Sequence, residues 1–299
     1  MNENEQLHSD LIKSWNQRYL ITQANLEKKI TKYLVDINVQ YRPDLKDKYC
    51  GKFVSCGEYP GHINLLNDLT IINKGQSVIL KHNGELVGAV IRDIASKEVF
   101  NHFGIKMKLT IDAHYPIKRG KKHVGLGTIV GQGDRKNPLD SKIGKYAYKE
   151  KVVNHEAQRL IEDDGDTLAE WLYTNAKYHL PWAIVSYEQF REKCNLDKES
   201  MVGAIFCAKN YEAIGHIDND RSEWAIGFVY EEGEVNEGYF FYPEFGIVIE
   251  MTSNSIWCWK TKAVHGTTKL KLSANSNRYT CALTLTEKTA RTIERMQNS

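Results

Sequence analysis

The spacing of apolar residues divides the chain into a front part with helical periodicity and a rear part with the shorter runs typical of strands. Leu11, Trp15 and Tyr19 recur every fourth residue with charged residues between them, and the same spacing continues further along. Apolar residues at this spacing form one face of an amphipathic helix. The pattern therefore predicts one long helix or two shorter ones over 3–37.

Three more helices are predicted before residue 200. Apolar residues at helical spacing mark 149–162, 166–179 and 186–196. Ser186 stands at the beginning of the last of these segments, and serine is one of the preferred residues for capping a helix N-terminus. We expect Ser186 to be that cap.

Two segments of the front half predict strands. Residues 77–93, "SVILKHNGELVGAVIRD", hold two apolar runs around Asn83-Gly84, the residue pair preferred in a type I′ hairpin turn. The glycine-rich segment 123–138 has the spacing of a phosphate loop but lacks the GK[ST] motif and a clear βαβ unit. We expect a hairpin at the first segment and, at the second, a strand lining a cleft.

From about Met201 the chain changes to short apolar runs separated by turn residues. Strands are predicted in "MVGAIFCAKNY", "EWAIGFVYEE", "GYFFYPEFGIVIEM", "SIWCWKTKAVHG" and "NRYTCALTLT". Regularly spaced short strands favour an antiparallel sandwich or barrel. Without repeats or low-complexity linkers, the pattern predicts one integrated domain over 1–299 with a helical flank over 1–76.

Composition narrows the class of protein. No run of 18 apolar residues is present, and the polar start "MNENEQLHSD" is not typical of a secretory signal. The six cysteines contain no CxxC pair, which argues against a structural zinc knuckle or a disulfide framework. We expect a soluble intracellular monomer, nuclear or cytoplasmic, without membrane partners.

Charge is unevenly distributed although the net charge is only +2. Residues 104–151 contain twelve Lys and Arg against four acids, whereas 210–250 contain ten acids and the single base Arg221. A basic half is suited to a phosphate backbone. Lysines that merely keep loops solvated would produce the same count, and both interpretations stay open.

The stretch "GHIDND" raises the question of a metal site. His216 and Asp218 are two residues apart, so on a strand they would point to one face. Most such pairs lie in surface turns, but a second histidine would complete the two-His, one-carboxylate triad of Fe(II) oxygenases. His265 is the sole histidine after Asp218, with room between them for about four strands.

A second test of an Fe(II) site is a cationic side chain that would bind the cosubstrate. An Fe(II) site that uses a 2-oxo acid must hold the distal carboxylate, which arginine does through paired hydrogen bonds. Arg278 and Thr280 in "NRYTCALTL" would share the inward face of a strand. The rival pair Asp112 and His114 has no such arginine strand after it, so we interpret it as structural or substrate-side.

Several motifs together resemble a known family. The segments "GHID", "GYFFYPEFGIVIEM", "AVHGTT" and "NRYT" within 200–286 resemble the 2-oxoglutarate/Fe(II)-dependent dioxygenases, in particular small fungal and protist members of the TET/JBP branch. The resemblance implies an α+β fold with a double-stranded β-helix (jelly-roll, cupin-like) core over 200–286 and flanking helices. It also implies Fe(II), 2-oxoglutarate and O2, with the metal and cosubstrate residues identified above as His216, Asp218, His265, Arg278 and Thr280.

The same resemblance implies a nucleic-acid substrate. TET/JBP enzymes oxidise the 5-methyl group of pyrimidines, which indicates DNA as partner and 5-methylcytosine (to 5-hydroxymethylcytosine and further) or thymine as target. Asn210 would contact cosubstrate or base, and Tyr211, Asp220 and Arg221 would lie near the base. Arg221 departs from the carboxylate or amide that is common shortly after the metal motif. Further candidates for stacking on a flipped base are Trp224, Trp257 and Trp259.

Two alternatives remain at the level of sequence. A 2-oxoglutarate-dependent hydroxylase of a protein or small molecule would use the same scaffold, and the acids of 210–250, which repel phosphates, favour it. A cupin-like binding module without catalysis is the other alternative. The complete set of two histidines, one aspartate and one arginine argues against this second alternative.

Overall fold

The computed structural model describes residues 34–65, 67, 69–117, 126–136, 142–146, 168–196 and 203–297. Helices are α1 Asp44–Tyr49, α2 Lys97–Ala113, α3 168–179, α4 Val185–Lys193 and α5 Glu287–Gln297. Strands of the front half are β1 Leu34–Asn38, β2 Phe53–Ser55, β3 His62–Asn64, β4 Thr70–Ile72, β5 Ser77–His82, β6 Glu85–Arg92, β7 Leu126–Lys136 and β8 Ile143–Lys145. Those of the rear half are β9 Ala204–His216, β10 Trp224–Glu232, β11 Val235–Glu237, β12 Phe240–Tyr242, β13 Ile247–Ile249, β14 Ser255–Lys260, β15 His265–Thr267, β16 Leu270–Leu272 and β17 Asn277–Thr284.

Most strands join one large curled sheet. Its order is β1-β5-β6-β14-β10-β17-β9-β15-β12-β13-β4, with β7 also paired to β9 and β8 to β7. The long strand β9 joins the part of the sheet from β1 to β17 to the part from β15 to β4, because its first half pairs with β17 and its end pairs with β15. The sheet thus curls around a cavity lined by residues of both parts. The predicted α+β class with a jelly-roll-type core is confirmed.

Alternation along the central strands separates two apolar layers. On β10, Ile226 and Phe228 pack into the core between the sheet and the helices, whereas Ala225 and Val229 belong to a second cluster on the other face. This alternation is the period of two expected of a strand buried on both faces. The helices therefore support the sheet from outside, and its inner face is left for the cavity. Within the described residues no helix is long and apolar enough to cross a bilayer.

The hairpin predicted at 77–93 is confirmed. Strands β5 and β6 pair antiparallel, and both turn residues, Asn83 and Gly84, have positive φ, as a type I′ turn requires. The glycine-rich segment forms the strand β7, which pairs with β9 and contributes Ile129 to the cavity lining, as expected.

The predicted N-terminal helix is wrong where the structure tests it. Residues 3–33 lie outside the described residues, but 34–38 form β1, parallel to β5. Pairing with β5 overrides the weak helical period at this position, because Val35 and Ile37 are β-branched and suit a strand. From residue 34 to 76 the flank consists of four short strands and the short helix α1, so it is not helical.

The helix predictions of the middle segment have mixed outcomes. Residues 168–179 are helical as expected, while the helix predicted over 149–162 lies outside the described residues. Helix α4 begins at Val185 after a 3₁₀ turn at Pro181–Ile184, so Ser186 is not its N-cap. The Ser186 hydroxyl instead accepts a hydrogen bond from the backbone N–H of Glu223. Helices α2 and α5 were not predicted.

Candidate metal centre

The three predicted metal ligands meet on the inner side of the sheet. His216 is the last residue of β9, and it lies directly opposite His265, the first residue of β15. Asp218 follows in the loop after β9, and its backbone N–H donates to the carbonyl oxygen of Thr261 (3.0 Å). One ligand atom from each of the three residues lies within 4.8 Å of the other two. The strand ends at His216, so the carboxylate reaches the centre from a loop and not from the strand that the sequence predicted.

Both imidazole rings are fixed in the same way. Nδ1 of His216 lies 2.8 Å from the carbonyl oxygen of Ile214, and Nδ1 of His265 lies 2.9 Å from that of Ala263. A carbonyl oxygen only accepts hydrogen bonds, so each Nδ1 carries a hydrogen. Each ring therefore directs Nε2 toward Asp218, and this hydrogen bond from the second ring nitrogen is typical of metal-binding histidines.

The convergence of these atoms fits a cation. Nε2 of His265 lies 3.1 Å from Oδ2 of Asp218, and Nε2 of His216 lies 3.5 Å from Oδ1. In the neutral tautomer all of these atoms are acceptors, so they repel one another unless the imidazoles gain protons or a cation lies among them. Two imidazoles and one carboxylate are the donor set of the Fe(II) facial triad. The residues present therefore fit iron.

The two imidazoles also influence the ionisation of Asp218. Burial by itself raises the pKa of this carboxyl, but the positive charges and hydrogen bonds of His265 and His216 outweigh burial and hold the pKa well below its usual range. Asp218 is thus a carboxylate throughout the physiological range. Ligation requires this charged form.

A buried glutamate fixes the chain just before the distal histidine. Oε1 of Glu244 accepts a hydrogen bond from the backbone N–H of Val264 (2.6 Å), and Oε2 accepts one from the hydroxyl of Tyr41 (3.3 Å). The Glu244 side chain lies in the turn between β12 and β13 and is buried. Its carboxylate therefore holds the backbone that directs His265 to the centre.

We expect Glu244→Ala to weaken metal binding by roughly 10–100-fold, the range found when groups behind metal ligands are removed. Loss of the acceptor leaves the Val264 N–H unpaired and frees the backbone before His265. Glu244→Gln keeps one acceptor oxygen and should lose less. Calorimetric titration with Co(II) measures the affinity; wild-type affinity in Glu244→Ala, with the fold intact by circular dichroism, would contradict this role.

The centre opens into a cavity of about 430 Å³. Its walls are mainly apolar and aromatic, with a few polar groups, as in most ligand sites. Its lining includes Tyr211, Asp220, Phe240, Trp257, Trp259 and Thr280, together with the three metal-ligand candidates. Among the described lining residues there is no lysine or arginine.

Of the two substrate candidates after the metal motif, the structure brings one to the cavity. Asp220 lines it, buried, and its Oδ2 has no hydrogen-bond partner among the described residues. Burial, together with the nearby charge of Asp218, raises the pKa of Asp220 to about 7. Arg221 points elsewhere, since its guanidinium donates to Glu287 (2.8 Å) and Glu294 (2.9 Å) on α5.

Arg278 shares the strand face of Thr280 but makes its contacts beyond the cavity. Its guanidinium pairs with Glu231 at 2.6 Å, and Glu231 lies directly opposite on β10. It also donates to the carbonyl oxygens of Glu237, Gly238 and Met251. The expected arginine is therefore buried and inward, but its donors are engaged by the chain itself.

Of the remaining cosubstrate and substrate candidates, two line the cavity and one does not. Thr280 and Tyr211 line the cavity, as expected of residues near the ligand. Asn210 does not: it has positive φ, its amide oxygen accepts from the backbone N–H of Arg278, and its amide nitrogen donates to Asn277. This side chain fastens the beginning of β17 to β9.

Sequence reasoning missed the residues that position the ligands. Glu244 stands alone as an acid in the apolar run "FFYPEFGIVI", and such an isolated acid was the signal available. The wall residue Phe240 carried no signal beyond its apolar strand. In the rival pair, His114 is buried at the end of α2 with Nδ1 2.8 Å from the carbonyl oxygen of Thr110, outside the metal cluster.

Comparison with known proteins adds remote structural likeness. No family model and no curated protein matches the chain. Among solved structures it is similar to NgTET1 in complex with 5mC DNA (10% identity, 78% of this chain and 92% of the other, TM-score 0.47). It is also similar to the full-length Neurospora crassa thymine 7-hydroxylase in complex with α-KG and 5-formyluracil (10%, 75% and 86%, 0.32) and to IDO from Bacillus thuringiensis (9%, 66% and 90%, 0.31). All three TM-scores are below 0.5, so these likenesses indicate no function for this chain.

Proposed function

We propose that this chain is an Fe(II)- and 2-oxoglutarate-dependent oxygenase that oxidises the methyl group of a methylated base in DNA. The target would be 5-methylcytosine, oxidised to 5-hydroxymethylcytosine and further, or thymine. The observation that carries the proposal is the meeting of His216, Asp218 and His265 at the inner wall of the 430 Å³ cavity.

The three residues would hold iron through Nε2 of both rings and the Asp218 carboxylate. With iron, 2-oxoglutarate and O2 bound, such a centre supplies an oxidant able to hydroxylate a C–H bond, while the cosubstrate is converted to succinate and CO2. The chain's own contribution is placement. The Nδ1–H groups of the two rings would keep Nε2 directed to the metal, and aromatic side chains line the cavity beside it.

For the cosubstrate, the cavity offers the Thr280 hydroxyl, and Arg278 lies further along the same strand face. We propose that both serve the distal carboxylate of 2-oxoglutarate. For Arg278 this requires that a ligand carboxylate replaces part of its contact with Glu231. A guanidinium binds a ligand carboxylate in the same way as it binds the Glu231 carboxylate, so the exchange preserves the kind of contact.

For the base, Asp220 is the residue best placed to recognise a polar edge. Its buried oxygen without a partner would accept a hydrogen bond from an exocyclic amino group or a ring N–H. Both 5-methylcytosine and thymine have such a donor. A base from a duplex must be flipped out of the stack to reach the cavity.

Of the described basic residues within 104–151, some are available to a phosphate backbone and others are not. Lys108 pairs with Glu232 (2.7 Å), and Lys106 is buried, so neither is available to DNA. Arg135 and Lys136 at the end of β7 are half-buried, and Lys142 is exposed before β8. This end of the β7–β8 hairpin is where we propose that a phosphate backbone lies.

A second candidate function is oxidation of a protein side chain or small molecule by the same chemistry. It is favoured by the cavity lining, in which the described residues include Asp218 and Asp220 but neither lysine nor arginine. An acidic interior repels phosphates and accommodates a neutral or cationic substrate.

Mass spectrometry tests the proposal directly. We expect oligonucleotides containing 5-methylcytosine or thymine, incubated with protein, Fe(II), 2-oxoglutarate and O2, to gain the mass of one oxygen, and 5-methylcytosine to be oxidised further. Asp218→Ala and an oligonucleotide with unmethylated cytosine and no thymine serve as controls. Succinate formation without any nucleoside product would favour the second function, and absence of both succinate and product would refute the oxygenase.

A further inference from the structure

One wall of the cavity is built from two tryptophans for which neighbouring strands make room. Trp257 and Trp259 alternate on β14, opposite Gly227 and Ala225 of β10. A Cβ atom at Gly227 would collide with the Trp257 ring, so only glycine leaves space for the indole to cross β10. The two rings stack at 5.9 Å with an 18° angle between their planes, and the Trp259 ring lies 5.3 Å from that of His265. The wall therefore borders the metal centre.

Both indole nitrogens of this wall are buried without a hydrogen-bond partner. Trp257 and Trp259 are 4% and 5% exposed, and no described residue accepts a hydrogen bond from either Nε1. Nε1–H is a donor only, and buried tryptophans usually place this group against an acceptor. Two unpaired donors side by side in one cavity wall indicate that the acceptors belong to a ligand.

Trp171 shows what distinguishes this pair. Its Nε1 also has no partner among the described residues, but the ring is stacked on Phe103 and lies edge-on to Phe228 in the main core. It does not line the cavity, so no ligand can reach it. Trp171 therefore serves as a control, because its indole N–H also lacks a partner in the described part of the chain but lies outside the cavity.

The charges around the wall narrow the kind of acceptor. The described lining residues include no lysine or arginine, and the guanidinium of Arg278 is engaged by Glu231 and by three carbonyl oxygens. The donors that this wall presents are therefore neutral. Neutral N–H groups recognise an oxygen atom by direction, whether the oxygen belongs to a carbonyl group or to a carboxylate.

We propose that the indole N–H groups of Trp257 and Trp259 form an oxygen-acceptor subsite that receives oxygen atoms of the ligand held at the metal centre. This inference rests on the proposed function for its choice of probes. Two ligands of that function carry oxygen atoms that accept hydrogen bonds. One is 2-oxoglutarate with its carboxylate oxygens, and the other is a pyrimidine with its ring carbonyl oxygens.

Indole resonances test the subsite without requiring turnover. Protein labelled with ¹⁵N at tryptophan gives six indole N–H signals from its six tryptophans, each assigned by a Trp→Phe variant. Zn(II), which does not support redox chemistry, occupies the metal centre, and its binding is followed separately through the histidine signals. We then add 2-oxoglutarate in one titration and thymidine or 5-methyl-2′-deoxycytidine in another. We expect the signals of Trp257 and Trp259 to move downfield while that of Trp171 stays in place.

The two titrations identify the source of the oxygen. Movement with 2-oxoglutarate alone assigns the subsite to the cosubstrate, and movement with a nucleoside alone assigns it to the base; either result supports the proposal. Signals that stay in place with both probes overturn it, whether or not Zn(II) binds. Failure of Zn(II) to bind is a separate result, observed through the histidine signals, and it counts against the proposed function.

Affinity provides a second measurement. Trp257→Phe and Trp259→Phe keep an aromatic ring in the wall but remove the donor, so each should weaken binding of the responsive probe by about 3–10-fold, the effect of one neutral hydrogen bond. Trp171→Phe removes an unpaired N–H from the core and should leave that affinity unchanged. Equal dissociation constants for wild type and both cavity variants would overturn the proposal.

Discussion

His265→Ala is expected to abolish metal binding at the centre and to reduce turnover at least about 1000-fold, well beyond the roughly 10–100-fold effect of removing groups behind metal ligands. His265 supplies one of the three candidate ligand atoms and stands directly opposite His216. Two remaining ligands from one short segment cannot enclose an ion. Calorimetric titration with Co(II) measures the first effect, and succinate formation measures the second.

The control for this variant is His102→Ala. His102 lies half-buried on α2, outside the metal cluster, so its loss should change neither metal binding nor succinate formation. Thermal melting of both variants without metal shows whether each is folded. Metal-dependent turnover at the wild-type level in folded His265→Ala would exclude the triad as the catalytic centre.

Arg278→Met is expected to destabilise the protein by about 3–5 kcal/mol, the effect of breaking a buried ion pair from one side. The change leaves the Glu231 carboxylate without its cation in a site where both side chains are nearly inaccessible. It also removes the donors to the carbonyl oxygens of Gly238 and Met251. Urea denaturation measures the free energy of unfolding.

The matched variant carries Glu231→Gln together with Arg278→Met. It has no buried unpaired charge, so much of the lost free energy of unfolding should return, and Glu231→Gln alone completes the double-mutant cycle. A loss below about 1 kcal/mol in Arg278→Met would show that the pair does not hold the strands together. Titration of folded Arg278→Lys with 2-oxoglutarate then separates a cosubstrate role from the structural one, since lysine keeps the charge but not the paired donors.

Local pattern was sufficient for the elements of the rear half. Alternation and turn residues predicted the strands that became β9, β10, β12, β13 and β17, and the pair Asn83-Gly84 predicted its hairpin correctly. The segment "SIWCWKTKAVHG", predicted as one strand, forms the two strands β14 and β15. These features depend on residues adjacent in sequence, whose side chains and φ values act over a few positions. The same locality misled the prediction over 34–37, where the partner strand β5 lies some 40 residues further along the chain.

The candidate metal ligands were identifiable because chemistry restricts them to few residue types. His216, Asp218 and His265 were selected by spacing and by the scarcity of histidine after Asp218, and the structure brings all three together. Neighbouring polar residues lacked such a restriction. Arg221 and Asn210 looked equally available in sequence, but the first pairs with α5 and the second fastens β17.

What the sequence determined by itself is therefore the kind of strands, the turn between β5 and β6, and the choice of three candidate metal ligands. Only the tertiary structure decided which partners the other polar groups find. Register across β10 and β17 placed Glu231 opposite Arg278, and register across β10 and β14 placed Gly227 beneath Trp257. The physical reason is that strand pairing joins residues distant in the chain, and a shift of one residue would turn each of these side chains to the opposite face of the sheet.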